Sequence, residues 1–273
     1  MGKKPKVPIW LITIPAFLDF IASNVSYFAL NLIPSSVWQL SKGGAIITTA
    51  IFTRILLKRI LTKRRIFGCA LATVGITVVG LSVVLFSDPD SKTYPVHEEI
   101  IGIVMVIGSL VFTGLQICYE ERMFRQYAMD VFQLVGLEGI FGLAMNLALV
   151  VAFTFISCPF DEAKCGGIQY LESFVLYFQQ LANNSFLLGM CILEIFTIAI
   201  SVSLAVTITK RISSISRALA DVARTVLIWG FGFIVTKLTN YKLESDNIGQ
   251  ILVEMVGFVL VLAGTVIYHI KEK

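Results

Sequence analysis

Residues 185–208 read SFLLGMCILEIFTIAISVSLAVTI, twenty-four positions with a single charged side chain, Glu194. A helix rises about 1.5 Å per residue, so this run crosses a hydrocarbon core about 30 Å thick with length to spare. Seven further apolar runs of similar length flank it, at roughly 8–32, 34–57, 66–86, 100–120, 131–156, 213–237 and 248–269. Glycine, aromatic and β-branched residues are mixed through them without an alternating ten-residue pattern, which argues for helices over a barrel. The expectation is an all-α polytopic membrane protein with eight transmembrane helices.

The whole chain agrees with that reading. Of its 273 residues 56% are hydrophobic and only 15% charged, more apolar than a globular domain requires. The net charge of +4 sits between the apolar runs, where it reports orientation and gives no reason to expect nucleic acid. Two histidines and five scattered cysteines supply no metal-ligand spacing, so neither a metal nor any other cofactor is expected. The start Met1-Gly2-Lys3-Lys4-Pro5-Lys6 is basic, but the run behind it is too long for a signal peptide and reads as a retained span.

Fourteen Lys and Arg residues fall in the N-terminus, the second, fourth and sixth loops and the tail, against Lys92, Lys164, Lys237 and Lys242 on the other side. Both termini are therefore expected in the cytosol. The longest loop, 157–184, carries Cys158 and Cys165, which either pair in an oxidising lumen or remain free thiols.

Two pairs of segments repeat. Ser35-Ser36-Val37-Trp38-Gln39-Leu40-Ser41-Lys42 resembles Arg217-Ala218-Leu219-Ala220-Asp221-Val222-Ala223-Arg224 at an offset of 182, and Gly68 and Gly75 match Gly257 and Gly264 at an offset of 189. The charge count runs the matched spans in opposite directions, so the expected repeat is inverted, an arrangement recurrent among transporters. Chance likeness between glycine-spaced membrane helices is the alternative.

The residues Ala29-Leu30-Asn31, Ser35-Ser36 with Gln39 and Gly43, Gly68 to Gly75, Glu120-Glu121, Leu137-Glu138-Gly139-Ile140-Phe141-Gly142, Asp221 with Arg224-Thr225-Val226, Ile228-Trp229, and Gly257 to Gly264 together give a further lead. In order and spacing the chain resembles subfamily F of solute carrier family 35, within the drug/metabolite transporter superfamily. The resemblance implies ten helices in two inverted five-helix halves, with both termini cytosolic, in an endomembrane of lysosomal or Golgi-like kind. The eight spans then correspond to the family's helices three to ten. Residues 1–87 hold the last three helices of the first half, 98–273 the complete second half, and the first two helices are absent. Lys42 also stands where the family pattern leads one to expect Arg.

An ionisable group in the bilayer costs at least about 2.5–3.5 kcal/mol on insertion scales and needs a reason to be there. Arg217, Asp221 and Arg224 share a face of the seventh span at i, i+4 and i+7. Lys42 and Arg224, with Gln39, are candidates to hold an anionic or carbonyl-bearing solute, while Asp221 couples a proton or balances the charge. The alternative is that Asp221 neutralises both arginines and locks helices together. Asp19 leads a polar stripe with Ser23, Asn24, Ser26 and Tyr27, which lines a cavity or grips a neighbouring helix. Glu138 lies on a stripe of Gly136, Gly139 and Gly142; close packing accounts for the glycines, and the carboxylate is a proton-site candidate. Glu194 and Glu254 are weaker, one pairing with a basic residue and the other snorkelling to the lumen. Glu120 and Glu121, beside Arg122, are expected to form a solvated cytosolic cluster or gate latch. Gly43-Gly44 either admits a substrate or packs closely.

The functional expectation is a carrier, not an enzyme, that moves a small organic solute by alternating access. Its partners are the solute and the lipid bilayer. A membrane scaffold or receptor without transport, or a non-functional truncated form, is the alternative.

Overall fold

The computed structural model describes residues 5–33, 38, 43–86, 96–157, 173–238 and 248–270. Among them are nine helices: α1 Ile9–Leu30, α2 Ala45–Leu56, α3 Lys63–Phe86, α4 Val96–Gln126, α5 Val131–Thr154, α6 Phe174–Asn183, α7 Ser185–Arg211, α8 Ser214–Leu238 and α9 Ile248–His269. Five are long and apolar enough to cross a bilayer: Ile9–Leu30, Ile100–Gln126, Val131–Thr154, Ser185–Arg211 and Gly249–His269. The chain is an all-α polytopic membrane protein. Helices α3 and α8, 24 and 25 residues long, coincide with two more of the expected spans. Helix α2, with 12 residues, lies within another.

Two expectations need correction. Helix α4 continues to Gln126 instead of ending near residue 120, which carries Glu120 and Glu121 inside the bundle. The expected long loop contains a ten-residue helix, α6, whose N-cap Ser173 accepts a hydrogen bond from the Leu176 amide at 3.4 Å. Asn184 then caps α7 by accepting from the Leu187 amide at 3.1 Å, so Asn183-Asn184-Ser185 spans the junction of two helices. Side-chain oxygens at such positions satisfy amides that a helix start leaves without partners.

The most extensive contact is between α3 and α9. A Cβ placed on Gly68 would lie 2.8 Å from the Gly264 carbonyl oxygen, and one on Gly75 would lie 2.6 Å from that of Gly257. The low number on one helix meets the high number on the other, so the two run antiparallel. The contacts are also reciprocal. Gly68 meets Gly264 and Tyr268 of α9, and Gly257 meets Gly75 and Val79 of α3; both partners shift by the same 189 residues. Gly75 meets Gly257 and Val261, and Gly264 meets Gly68 and Ala72, with the same shift. A local two-fold axis across the crossing relates the two helices.

Around that crossing, Ile46, Ala72, Ile76, Ile215, Leu219 and Val261 join α2, α3, α8 and α9 in one core. A second core joins α1, α4, α5 and α7 through Ile12, Met123, Leu134 and Val206. Large apolar side chains cover the outside, among them Phe132, Leu143, Phe186 and Phe196, as expected where hydrocarbon is the solvent. The basic segments gather at one end of the bundle. Lys6 bridges Ala128, Arg59 reaches Glu121, Lys210 reaches Asp130, and Arg65 lies over the Tyr268 ring.

Candidate functional site

Between the two cores, α1, α4, α5 and α8 bring a group of ionisable side chains together. Arg217, three residues into α8, donates from Nη1 to Glu120 Oε2 at 2.7 Å. Glu120 is fully buried, and its other oxygen accepts from Gln116 Nε2 at 3.1 Å, one helical turn back along α4. Asp19 of α1, Glu138 of α5 and Asp221 of α8 lie within electrostatic reach of Arg217, and Gln116 also meets Asp19. At about 1.5 Å per residue, Arg217, Glu120, Glu138 and Asp19 stand roughly 5 to 15 Å in from the basic end. Four carboxylates thus share one guanidinium inside the bundle. Asp19 is exposed on α1, beside the group. Glu138 Oε1 and Arg217 Nε are buried without a hydrogen-bond partner.

Glu121, the next residue of α4, faces the other way. Its Oε2 accepts from the Ser214 amide at 2.7 Å, capping the start of α8, while Oε1 pairs with Arg125 and lies 4.0 Å from Arg59. A carboxylate at a helix N-terminus complements both the free amides and the helix dipole. Below it, Thr53 Oγ1 is 3.2 Å from Ser214 Oγ, and buried Cys118 donates towards the Thr49 carbonyl oxygen at 3.4 Å. Adjacent glutamates therefore clasp α4 to α8 twice, once by side chain and once by backbone.

The expected solvated cluster of Glu120 and Glu121 is corrected, since these residues are 0% and 3% exposed. Arg217 does find a carboxylate, and its ion pair at 2.7 Å is with Glu120 of another helix, while Asp221 of its own helix also acts on it electrostatically. Arg224 lies apart. It is exposed and lines a groove of about 570 Å³ against α7, together with Glu194, Thr197, Ser201 and Cys191. Gln39 and Lys42 lie outside the described residues, as do Cys158 and Cys165 and, but for Trp38, the matched segment 35–42.

The polar stripe of α1 divides its work. Asn24 donates to Asn146 Oδ1 on α5 at 3.1 Å, Ser26 accepts from Trp38 Nε1 at 2.9 Å, and the exposed Tyr27 ring lies 6.1 Å from that of Trp38. Asn24 and Ser26 hold neighbouring segments, while Asp19 joins the charged group. Among the described residues the glycine stripe of α5 forms no packing seam, since a Cβ on Gly136, Gly139 or Gly142 would meet none of them within 4 Å. Gly43 packs directly on Ile76. Glu254 is buried against α3, accepting from Ser82 at 3.3 Å and Gln250 at 2.9 Å, and so does not snorkel. Gln116 escaped notice in the sequence; its one signal was its place four residues before Glu120.

Known proteins supply a separate line of argument. Solute carrier family 35 member F6 of Mus musculus is 28% identical over 255 residues, covering 93% of this chain and 65% of the relative. The Homo sapiens protein of that name is 27% identical over 257 residues, with the same coverage. An uncharacterized protein of Schizosaccharomyces pombe is 26% identical over 259 residues, covering 94% of this chain and 73% of the relative. The chain thus spans just under two thirds of the length of the solute carrier relatives. The sequence model described as "Nucleotide-sugar transporter" matches residues 4–157, more than half of the chain, which takes in α1, α4 and α5 of the charged group but not α8 with Arg217. Because that match covers more than half of an all-helical membrane chain, the chain belongs to the nucleotide-sugar transporter family.

Proposed function

We propose that this chain forms the body of a carrier that moves a small organic solute across an endomembrane by alternating access, with both termini in the cytosol. The observation that carries the reading is the reciprocal glycine crossing of α3 and α9, in which every contact recurs at an offset of 189 residues. Two units related by an axis in the membrane plane can exchange environments by rocking about it, whereas a scaffold needs no such relation. Residues 1–87 would then belong to one half and 98–273 to the other. The solute's polar group meets Arg224 in the groove between α7 and α8, and the Arg217 group lies towards the basic end. Lys42 and Gln39 would join from the matched segment of the first half. A nucleotide sugar or another anionic metabolite suits Arg224, and Glu194 across the groove admits a group that also carries a donor.

The test is counterflow in liposomes reconstituted with the purified chain, using nucleotide sugars and a panel of anionic and zwitterionic metabolites. Accelerated exchange of one class, lost in Arg224→Ala, is the expected result. A folded wild-type chain inert towards the whole panel would leave the scaffold reading in place.

A further inference from the structure

Among the described residues the Arg217 group holds more carboxylates than cations even when Asp221 is set aside. Among the described residues, Asp19, Glu120, Glu138 and Asp221 stand around one guanidinium, whose direct ion pair is made with Glu120. Glu138 is left with a buried oxygen that has no donor, on a helix that presents no other charged residue to the group. The helices packed on α5 do not supply a cation either. From α1 the ionisable groups are Asp19 and Tyr27; from α7 they are Cys191 and Glu194, both in the groove with Arg224, and Lys210 and Arg211 at the basic end, where Lys210 is occupied by Asp130 and the Met129 carbonyl oxygen. From α4 and α8 the group holds Gln116, Glu120, Arg217 and Asp221. An unpaired carboxylate in so apolar a setting carries a penalty of several kcal/mol, and a single proton removes it without needing a cavity.

Resting on the carrier reading above, we propose that Glu138 is the proton-carrying residue of this protein and that the exposed Asp19 passes protons between water and Glu138. In each cycle a proton from water on one side forms an O–H bond on a Glu138 oxygen. That bond breaks when the bundle opens to the other side, and the proton leaves to water there. Glu120 keeps its ion pair with Arg217 throughout, so the charge of the group changes by one as Glu138 gains and loses its proton. Solute movement is thereby coupled to the proton gradient.

Infrared difference spectroscopy of the purified chain in lipid, titrated across pH in water and in deuterated water, reads the proton itself and needs no solute. The wild type is expected to show the carbonyl stretch of a protonated carboxyl that shifts on deuteration and disappears as pH rises. Glu138→Gln should lose this band, Glu138→Asp should move the pH at which it disappears, and Asp130→Asn, at the exposed rim, should leave it unchanged. Asp19→Asn should keep the band but slow its exchange with deuterium several-fold. A wild type without a titrating band, or a band that persists in Glu138→Gln, overturns the proposal. Thermal melting of each variant in the same lipid separates loss of the proton from loss of the fold. A titrating Glu138 band in a chain that exchanges no solute would overturn the carrier reading alone; solute exchange without the band would overturn the proton alone.

Discussion

Gly68 and Gly264 face each other so closely that a Cβ on either would lie 2.8 Å or less from the other's carbonyl oxygen. Backbone, not a flexible side-chain tip, would have to yield. Gly68→Ala, Gly75→Ala, Gly257→Ala and Gly264→Ala are each expected to destabilise the bundle by about 1–3 kcal/mol, the usual cost of overpacking. The same change at Gly139 meets open space and should instead gain up to about 1 kcal/mol in helix propensity. Thermal unfolding in detergent of the five variants checks the contrast. Equal effects at Gly139 and Gly264 would mean that α3 and α9 do not cross as described.

The second expectation concerns Arg217 and Glu120, 2.7 Å apart and shielded from solvent. Breaking a buried pair strands one charge and costs about 3–5 kcal/mol, whereas replacing both partners with neutral groups of similar size is often neutral or stabilising. Arg217→Met alone is therefore expected to be far less stable than the double variant Arg217→Met with Glu120→Gln. A double-mutant cycle on unfolding free energy measures the coupling. Additive single effects would show that Arg217 is compensated chiefly by Asp19, Glu138 and Asp221.

The third concerns the clasp at the basic end. Cys118 is fully buried beneath Glu121 and Ser214, while Cys191 is half-buried on α7. A hydrogen bond to a charged group contributes about 1.5–3 kcal/mol, so removing the carboxylate that holds the Ser214 amide should raise the open population by an order of magnitude or more. Maleimide labelling read by peptide mass spectrometry is expected to modify Cys191 well ahead of Cys118 in the wild type, and Glu121→Ala should raise the Cys118 rate about tenfold or more. An unchanged Cys118 rate would show that Glu121 does not hold this end shut.

Much of this fold is legible in the sequence. The glycine spacing in residues 66–86 and 248–269 works because positions seven apart fall on one helix face, so a seam is visible without knowledge of its partner. Span limits for α5 and α7 could be read within a few residues because apolar composition alone sets them. Glu120 could not be read in this way. Its burial depends on α4 running on past Arg122 and Arg125, two charges that usually mark a helix leaving the membrane, and on a partner 97 residues away. The α5 glycines misled for the complementary reason. Small residues permit close approach but do not compel it, and what stands opposite is a tertiary fact.

The last expectation separates function from stability at Arg224. An arginine on the exposed face of a span costs at least about 2.5–3.5 kcal/mol near the bilayer centre, and among the described residues Glu194 shares the groove with Arg224 without the close ion pair that Glu120 makes with Arg217. A purely structural residue in this place would be replaced by leucine only at a loss. A residue kept to meet a solute behaves in the opposite way: Arg224→Leu is expected to raise the melting temperature by a few degrees and to remove most of the solute exchange in liposomes. Glu194→Gln, across the groove, should alter which solutes compete while leaving the melt within about 1 kcal/mol of wild type. Should Arg224→Leu instead melt lower and still exchange solute, the guanidinium is holding α7 to α8, and the solute must be sought beside Arg217.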